Sequence, residues 1–175
     1  YEIFLKNATK DGLKLWNTML EAGKPYNISP AGPSLIRRLE HGIRNYGQDV
    51  RLDNNPYEVG LGFAVDLNQE ADFVGKESLT QIKKEGLKKK LVGIEFGTER
   101  MKGWNEDYWP VIENDKQIGQ VTTAAYSPSL KKNIGYAMLP IERTEIGTKI
   151  TILARGDETG ATVIKEPFVR GREKQ

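Results

Sequence analysis

From about residue 90 onward the chain changes its period, and that change limits the folds open to it. Before it, apolar residues recur every three or four positions. After it they come in short alternating runs: Leu91–Phe96, Val111–Glu113, Gln117–Thr123, Ile134–Met138, Lys149–Leu153 and Ala161–Lys165. Alternation and short apolar runs are the pattern of strands half or wholly buried in a sheet. Turn-forming groups separate some of the runs, Asn114-Asp115-Lys116 and Asp157-Glu158-Thr159-Gly160 among them. Six short strands in roughly 75 residues predict a small antiparallel barrel.

The first part reads differently. Residues 1–5 alternate like a strand. Asp11–Ala22 is expected to be helical, with Leu13, Trp16 and Leu20 on one face and Gly23 as its stop. The stretch 24–32 is turn-rich, and a second helix is expected from Pro33 to Gly47, with an apolar stripe of Leu35, Leu39, Gly42, Ile43 and Tyr46. A short third helix is expected over Lys76–Lys84. The fold class is therefore α+β, with a boundary near residue 88. Residues 1–88 form an incomplete α+β segment, and residues 89–175 form a barrel able to fold alone.

Composition excludes several function classes. The chain has 175 residues, no cysteine, one histidine and a formal net charge of +2. Disulfides, thiolate metal sites and cysteine nucleophiles are out, and one histidine cannot build a multi-histidine metal centre. No apolar run spans a membrane. Lys83, Lys84, Lys88, Lys89 and Lys90 read as a solvated helix end and loop, since a nucleic-acid patch would interleave aromatics; attraction of a polyanionic ligand tail is the one binding role left to them. The absence of cysteine fits a reducing compartment.

Few residues carry candidate chemistry. His41 falls on the wet face of the second helix. Gly60-Leu61-Gly62 lacks the third glycine and the lysine of a phosphate loop and reads as a tight turn. At about 100° per residue, Arg38 lies on the flank of the apolar stripe, with Arg37 and Arg44 opposite. An arginine bordering a buried face needs an acceptor, either a local carboxylate such as Glu40 or Glu58, or a ligand carboxylate. Glu2 faces away from Tyr1 and Ile3. It is either the wet face of a sheet or an acceptor for two adjacent N–H groups of a heterocycle. Trp104, Tyr108 and Trp109 lie in one loop, where they either anchor it on the barrel or wall a cavity that holds a cation.

Several blocks, in order, resemble the T-protein of the glycine cleavage system and its relatives: YEI, RRLEHGIRNYGQDV, NPYEVGLGFAVDL, FVGKESL, LVGIEF, IGQVTTAAYSPSLKKNIGYAML and IKEPFV. The resemblance covers nearly the whole chain. It implies a three-domain, cloverleaf-like protein about twice this length around a tetrahydrofolate pocket. This chain would supply the end of the folate-binding α+β domain and the C-terminal barrel. With no initiator Met and a start inside a strand-like run, it reads as the C-terminal part of a longer protein. The resemblance gives Glu2 to the pterin ring and Arg38, in Arg38-Leu39-Glu40, to holding folate. The family's key aspartate falls in the N-terminal half, so no catalytic residue is assigned here. The implied activity is transfer of a methyl or methylene group from an amine or sulfonium donor to tetrahydrofolate, in the cytoplasm or in a mitochondrial matrix. The partner would be a lipoyl carrier protein or a free small donor, with Trp104 or Trp109 facing a cationic one.

The pattern also departs from ordinary T-proteins. Ile36-Arg37-Arg38-Leu39-Glu40-His41-Gly42 stands where Leu-Arg-Leu-Glu-Ala-Gly is usual. Arg100-Met101-Lys102-Gly103 stands in place of the barrel loop's Arg-x-Gly. Pro33-Ser34-Leu35-Ile36-Arg37-Arg38-Leu39-Glu40 and Tyr126-Ser127-Pro128-Ser129-Leu130-Lys131-Lys132-Asn133-Ile134-Gly135 look more like the branch that includes dimethylsulfoniopropionate demethylase. The tail of a sarcosine or dimethylglycine dehydrogenase is another reading. So is a non-catalytic folate-binding protein, although those members carry a cysteine motif that is absent here.

Overall fold

The structure, a computed structural model, describes residues 2–169. It forms two compact units, Tyr1–Pro33 and Ser34–Gln175.

In the first unit, helix α1 spans Ala8–Gly23 and runs into a single 3₁₀ turn at Lys24–Tyr26. Asn27, at φ 54°, reverses the chain, and Ile28 folds back onto Gly23. A Cβ at Gly23 would lie 1.9 Å from Ile28 Cδ1, so a larger residue there would force the Ile28 side chain to move. The apolar face expected for the helix is present but stays uncovered, with Leu13 73%, Trp16 50% and Met19 44% exposed. The strand expected at 1–5 is not formed over residues 2–5, and residue 1 lies outside the described residues. A strand needs a partner for its backbone groups, and none pairs with 2–5 among the described residues.

The second unit is built on a closed barrel. Its strands are β1 (Lys89–Phe96), β2 (Trp109–Glu113), β3 (Lys116–Ser127), β4 (Lys132–Pro140), β5 (Lys149–Ala154) and β6 (Asp157–Ile164), in the spatial order β1-β4-β3-β2-β5-β6. Every pairing is antiparallel. Closure removes the exposed edges that an open sheet of this size would carry. Hairpin β2–β3 turns on Asn114 and Asp115, both with positive φ as a two-residue hairpin turn demands. The turn expected at Asp157–Gly160 belongs instead to β6, and hairpin β5–β6 turns one step earlier, on Arg155 and Gly156 with φ of 57° and 94°.

Alternation sorts the side chains of β1 into two cores. Val92, Ile94 and Phe96 point into the barrel with Val111, Val121, Leu139, Ile152 and Val163. Leu91 points outward into a second cluster with Leu39, Val59, Ala125, Ile134, Tyr136 and Met138. Helix α2 (Leu35–Glu40), packed on β3 and β4, covers that outer face. Helix α3 (Lys76–Glu85) buries no residue, and Lys83 and Lys84 sit in its last turn, where they oppose the helix dipole. No helix among the described residues is long and apolar enough to cross a membrane.

Candidate functional site

The second helix is shorter than its apolar stripe suggests. Ser34 caps its start, its side chain accepting from Arg37 N at 3.3 Å. Gly42, at φ 77°, ends it: Ile43 N donates to Arg38 O at 2.9 Å and Gly42 N to Leu39 O at 3.1 Å, the paired closure of a Schellman motif. Ile43 and Tyr46, expected on the buried stripe, are 57% and 68% exposed. Gly47 closes a turn and not a helix. The chain then doubles back beside α2.

This reversal surrounds Arg38 with acceptors. Its Nη1 donates to Ile43 O at 3.1 Å and to Asp49 Oδ2 at 2.6 Å. Its Nη2 donates to Gln48 Oε1 at 3.0 Å and to Thr123 Oγ1 at 3.0 Å. Asp49 is 1% exposed. Its Oδ2 also accepts from Asn45 N at 3.0 Å, and its Oδ1 accepts from Thr122 Oγ1 at 2.7 Å and Thr123 Oγ1 at 2.6 Å. A buried charge is tolerable only when paired and fully hydrogen-bonded, and both halves of this pair meet that condition. The helix flank does place Arg38 correctly. Its carboxylate partner, however, is neither Glu40 nor Glu58. Glu40 accepts from Ser127 Oγ at 2.5 Å, and Glu58 accepts from Asn55 N at 3.2 Å.

The loop before β2 is pinned to the same place. Tyr108 Oη donates to Gln48 O at 2.8 Å. Asn105, 2% exposed, donates to Thr122 O at 3.2 Å and accepts from Ala124 N at 2.6 Å. The two candidate tryptophans of this loop part company. Trp104 is 57% exposed and forms a bridge with Ala125. Trp109 is 7% exposed, with its ring edge-on to Phe96 at 5.9 Å inside the barrel core. The inward period of β2 puts most of the Trp109 side chain into the core, while the residue also lines a cavity bounded by Arg100, Met101 and Lys102. Glu2 is exposed and belongs to the other unit.

A second buried pair was not expected. Arg44, assigned by the longer helix to the wet face, sits in the loop past Gly42 with its side chain only 11% exposed. It donates to Glu166, to Gly42 O and to Val59 O, and lies 4.8 Å above the Tyr136 ring. Burial pushes the Glu166 carboxyl above its ordinary value, with Arg44 opposing, and its Oε2 is buried without a partner. Burial likewise raises the Tyr136 phenol, which donates to Leu39 O at 3.3 Å. Phe168, 5.7 Å from the Tyr136 ring, and Val169 N, bonded to Glu40 O at 2.9 Å, fasten residues 166–169 onto α2 and the barrel.

The remaining motifs are structural. A Cβ at Gly60 would meet the Arg44 guanidinium at 3.2 Å, and one at Gly62 the Tyr57 ring at 2.7 Å. Gly60-Leu61-Gly62 is thus a close-approach turn. His41 is exposed, its Nδ1 2.9 Å from Arg37 O. Sequence reasoning missed Asp49, Thr122, Thr123, Asn105 and Glu166. The available signal was two adjacent threonines within the apolar run Val121–Ala125 of β3.

A closed six-stranded barrel whose outer face is covered by a short helix and an arginine–aspartate pair defines a compact domain class. Two family descriptions match this chain: the glycine cleavage T-protein C-terminal barrel domain over residues 89–170, and the GCVT N-terminal domain over residues 1–69. The chain belongs to the glycine cleavage T-protein family. It is 41% identical over 172 residues to the aminomethyltransferase of Geobacillus sp. (strain WCH70), covering 97% of this chain and 46% of that protein. It is 36% identical over 177 residues to the aminomethyltransferase of Symbiobacterium thermophilum, covering 100% and 46%. The crystal structure of glycine cleavage system aminomethyltransferase T from Bartonella henselae superposes with a TM-score of 0.68 at 26% identity, over 75% of this chain and 37% of that one. The chain thus spans about half the length of the curated relatives it matches.

Proposed function

We propose that this chain serves in a tetrahydrofolate-dependent one-carbon transferase, one that passes a methylene or methyl group from an amine or sulfonium donor to tetrahydrofolate. The observation that carries this reading is the 36–41% identity to aminomethyltransferases along nearly the entire chain, both family segments included. Aminomethyl donors are favoured over a sulfonium by the names of those relatives. An aminomethyl group carried on a lipoyl arm would bring a carrier protein as partner.

Tetrahydrofolate would accept the one-carbon unit at N5. The residues of this chain would bind and orient. Glu2 is an exposed carboxylate, free to accept the paired N–H donors of a pterin edge. Arg38 would act from inside the wall of the site, because its four hydrogen bonds are already spent within the chain. Trp104, half-exposed beside β3, is the aromatic available to a cationic donor. Holding two substrates in register and excluding water is the main work such a site performs.

The test is equilibrium binding of tetrahydrofolate to the full-length protein and to its Glu2→Gln and Arg38→Ala forms. Both substitutions are expected to weaken binding while the fold persists. Wild-type protein that binds no tetrahydrofolate would overturn the reading.

A further inference from the structure

The resemblance hands Arg38 to the ligand, but the geometry hands it to Asp49. Arg38 gives Nη1 and Nη2 to four acceptors, and its charge is cancelled at 2.6 Å by a carboxylate that is itself 1% exposed. Two of those acceptors, Ile43 O and Gln48 Oε1, belong to the segment between α2 and Asp49. Asp49 Oδ2 holds the backbone of Asn45 in the same segment. Tyr108 Oη reaches across from the loop before β2 to Gln48 O. The pair therefore fixes the course of residues 43–49, whose Ile43 and Tyr46 side chains are turned outward.

We propose that Asp49 is a positioning residue of the folate site. It acts through Arg38 by neutralising the guanidinium and locking residues 43–49, and Arg38 is not itself a ligand for a folate carboxylate. This rests on the function proposed above. The chemistry at Asp49 is demanding. Four donors converge on its two oxygens, from Arg38, Asn45, Thr122 and Thr123. An amide of the same shape presents an N–H in place of one acceptor and cannot satisfy them all.

The two roles for Arg38 predict opposite signs. If Arg38 were a direct carboxylate ligand, Asp49→Asn would release its guanidinium and leave folate binding unchanged or stronger. If Asp49 positions, Asp49→Asn weakens binding by about tenfold, the scale of one charge-assisted hydrogen bond.

The experiment uses the full-length protein, with two ligands: tetrahydrofolate, and a tetrahydropterin that lacks the glutamate tail. Asp49→Asn and Arg38→Gln are expected to weaken both ligands by the same factor, and the double variant to be no worse than the weaker single one. Thr123→Val should reproduce the loss and Thr123→Ser should rescue it, which keeps the test decisive if Asp49→Asn does not fold. Undiminished tetrahydrofolate binding by a folded Asp49→Asn protein, or an Arg38→Gln loss confined to the ligand with carboxylates, would overturn the proposal. Backbone amide exchange over residues 43–50 supplies a readout without ligand. Asp49→Asn, or Thr123→Val in its place, should accelerate exchange there while β1 and β4 stay protected, and equal protection would also overturn it. Wild-type protein that binds neither ligand would sink the folate reading alone, because the exchange arm still decides whether Asp49 positions the segment.

Discussion

Thr122 and Thr123 are neighbours in one strand, yet both donate to the same oxygen of Asp49, at 2.7 and 2.6 Å. Successive side chains of a regular strand point to opposite faces. The pairing of β3 with β4 shifts register between Val121 and Thr123, so a bulge at Thr122 breaks the alternation and brings both hydroxyls to one side. The bulge is what allows the barrel to hold a buried carboxylate.

Each threonine should therefore matter to stability. Thr122→Val removes one of four bonds to a buried charge and is expected to cost about 1–3 kcal/mol in urea unfolding. A change within experimental error would mean that Asp49 recovers its lost bond from elsewhere.

Trp109 is read as core. Trp109→Ala should cost about 3–5 kcal/mol, the usual penalty for emptying a large aromatic site. A variant of wild-type stability with weakened donor binding would show that the cavity wall, not the core, is its main role.

Two glycines of the barrel make a matched pair. A Cβ at Gly135 would lie 2.5 Å from Thr123 O, a backbone atom that cannot turn away, whereas a Cβ at Gly160 meets nothing within 4 Å. Gly135→Ala should destabilise by at least about 1–3 kcal/mol. Gly160→Ala should be neutral or stabilise by up to about 1 kcal/mol. Thermal melts that rank the two in the other order would contradict the register drawn here.

Glu166 gives a pH dependence. Its folded value is raised above the ordinary 4.5 by burial. Its contribution is thus fully present below the unfolded value and is lost as pH rises through the folded one. Glu166→Gln, neutral throughout, should gain on the wild type as pH rises through and above the ordinary carboxylate range. A stability difference that stays flat across that range would show that Arg44 fully offsets the burial.

The barrel is legible in the sequence because its strands alternate and its turns need positive φ. Asn114-Asp115 reads correctly, whereas Arg155-Gly156 is overshadowed by the more polar Asp157–Gly160 that follows. The second helix is overextended because Ile43 and Tyr46 continue its period by chance, although Gly42 already carries the stop signal. Arg38 is legible from the helix flank. Asp49 is not, since its two threonine partners lie 73 and 74 residues away across a bulge, and no local pattern announces a register shift. Arg44 is misplaced for the same reason as the helix end: once Gly42 turns the chain, its side chain faces inward.

The proposed activity is one-carbon transfer to tetrahydrofolate. The most direct measurement supplies the full-length protein and tetrahydrofolate with aminomethyl-loaded lipoyl carrier protein, dimethylglycine or dimethylsulfoniopropionate in separate reactions, and follows the folate products by mass spectrometry. The expected result is 5,10-methylenetetrahydrofolate from the loaded carrier, and 5-methyltetrahydrofolate from the sulfonium alone would keep the claim but move the donor. No folate product from any of the three would contradict it.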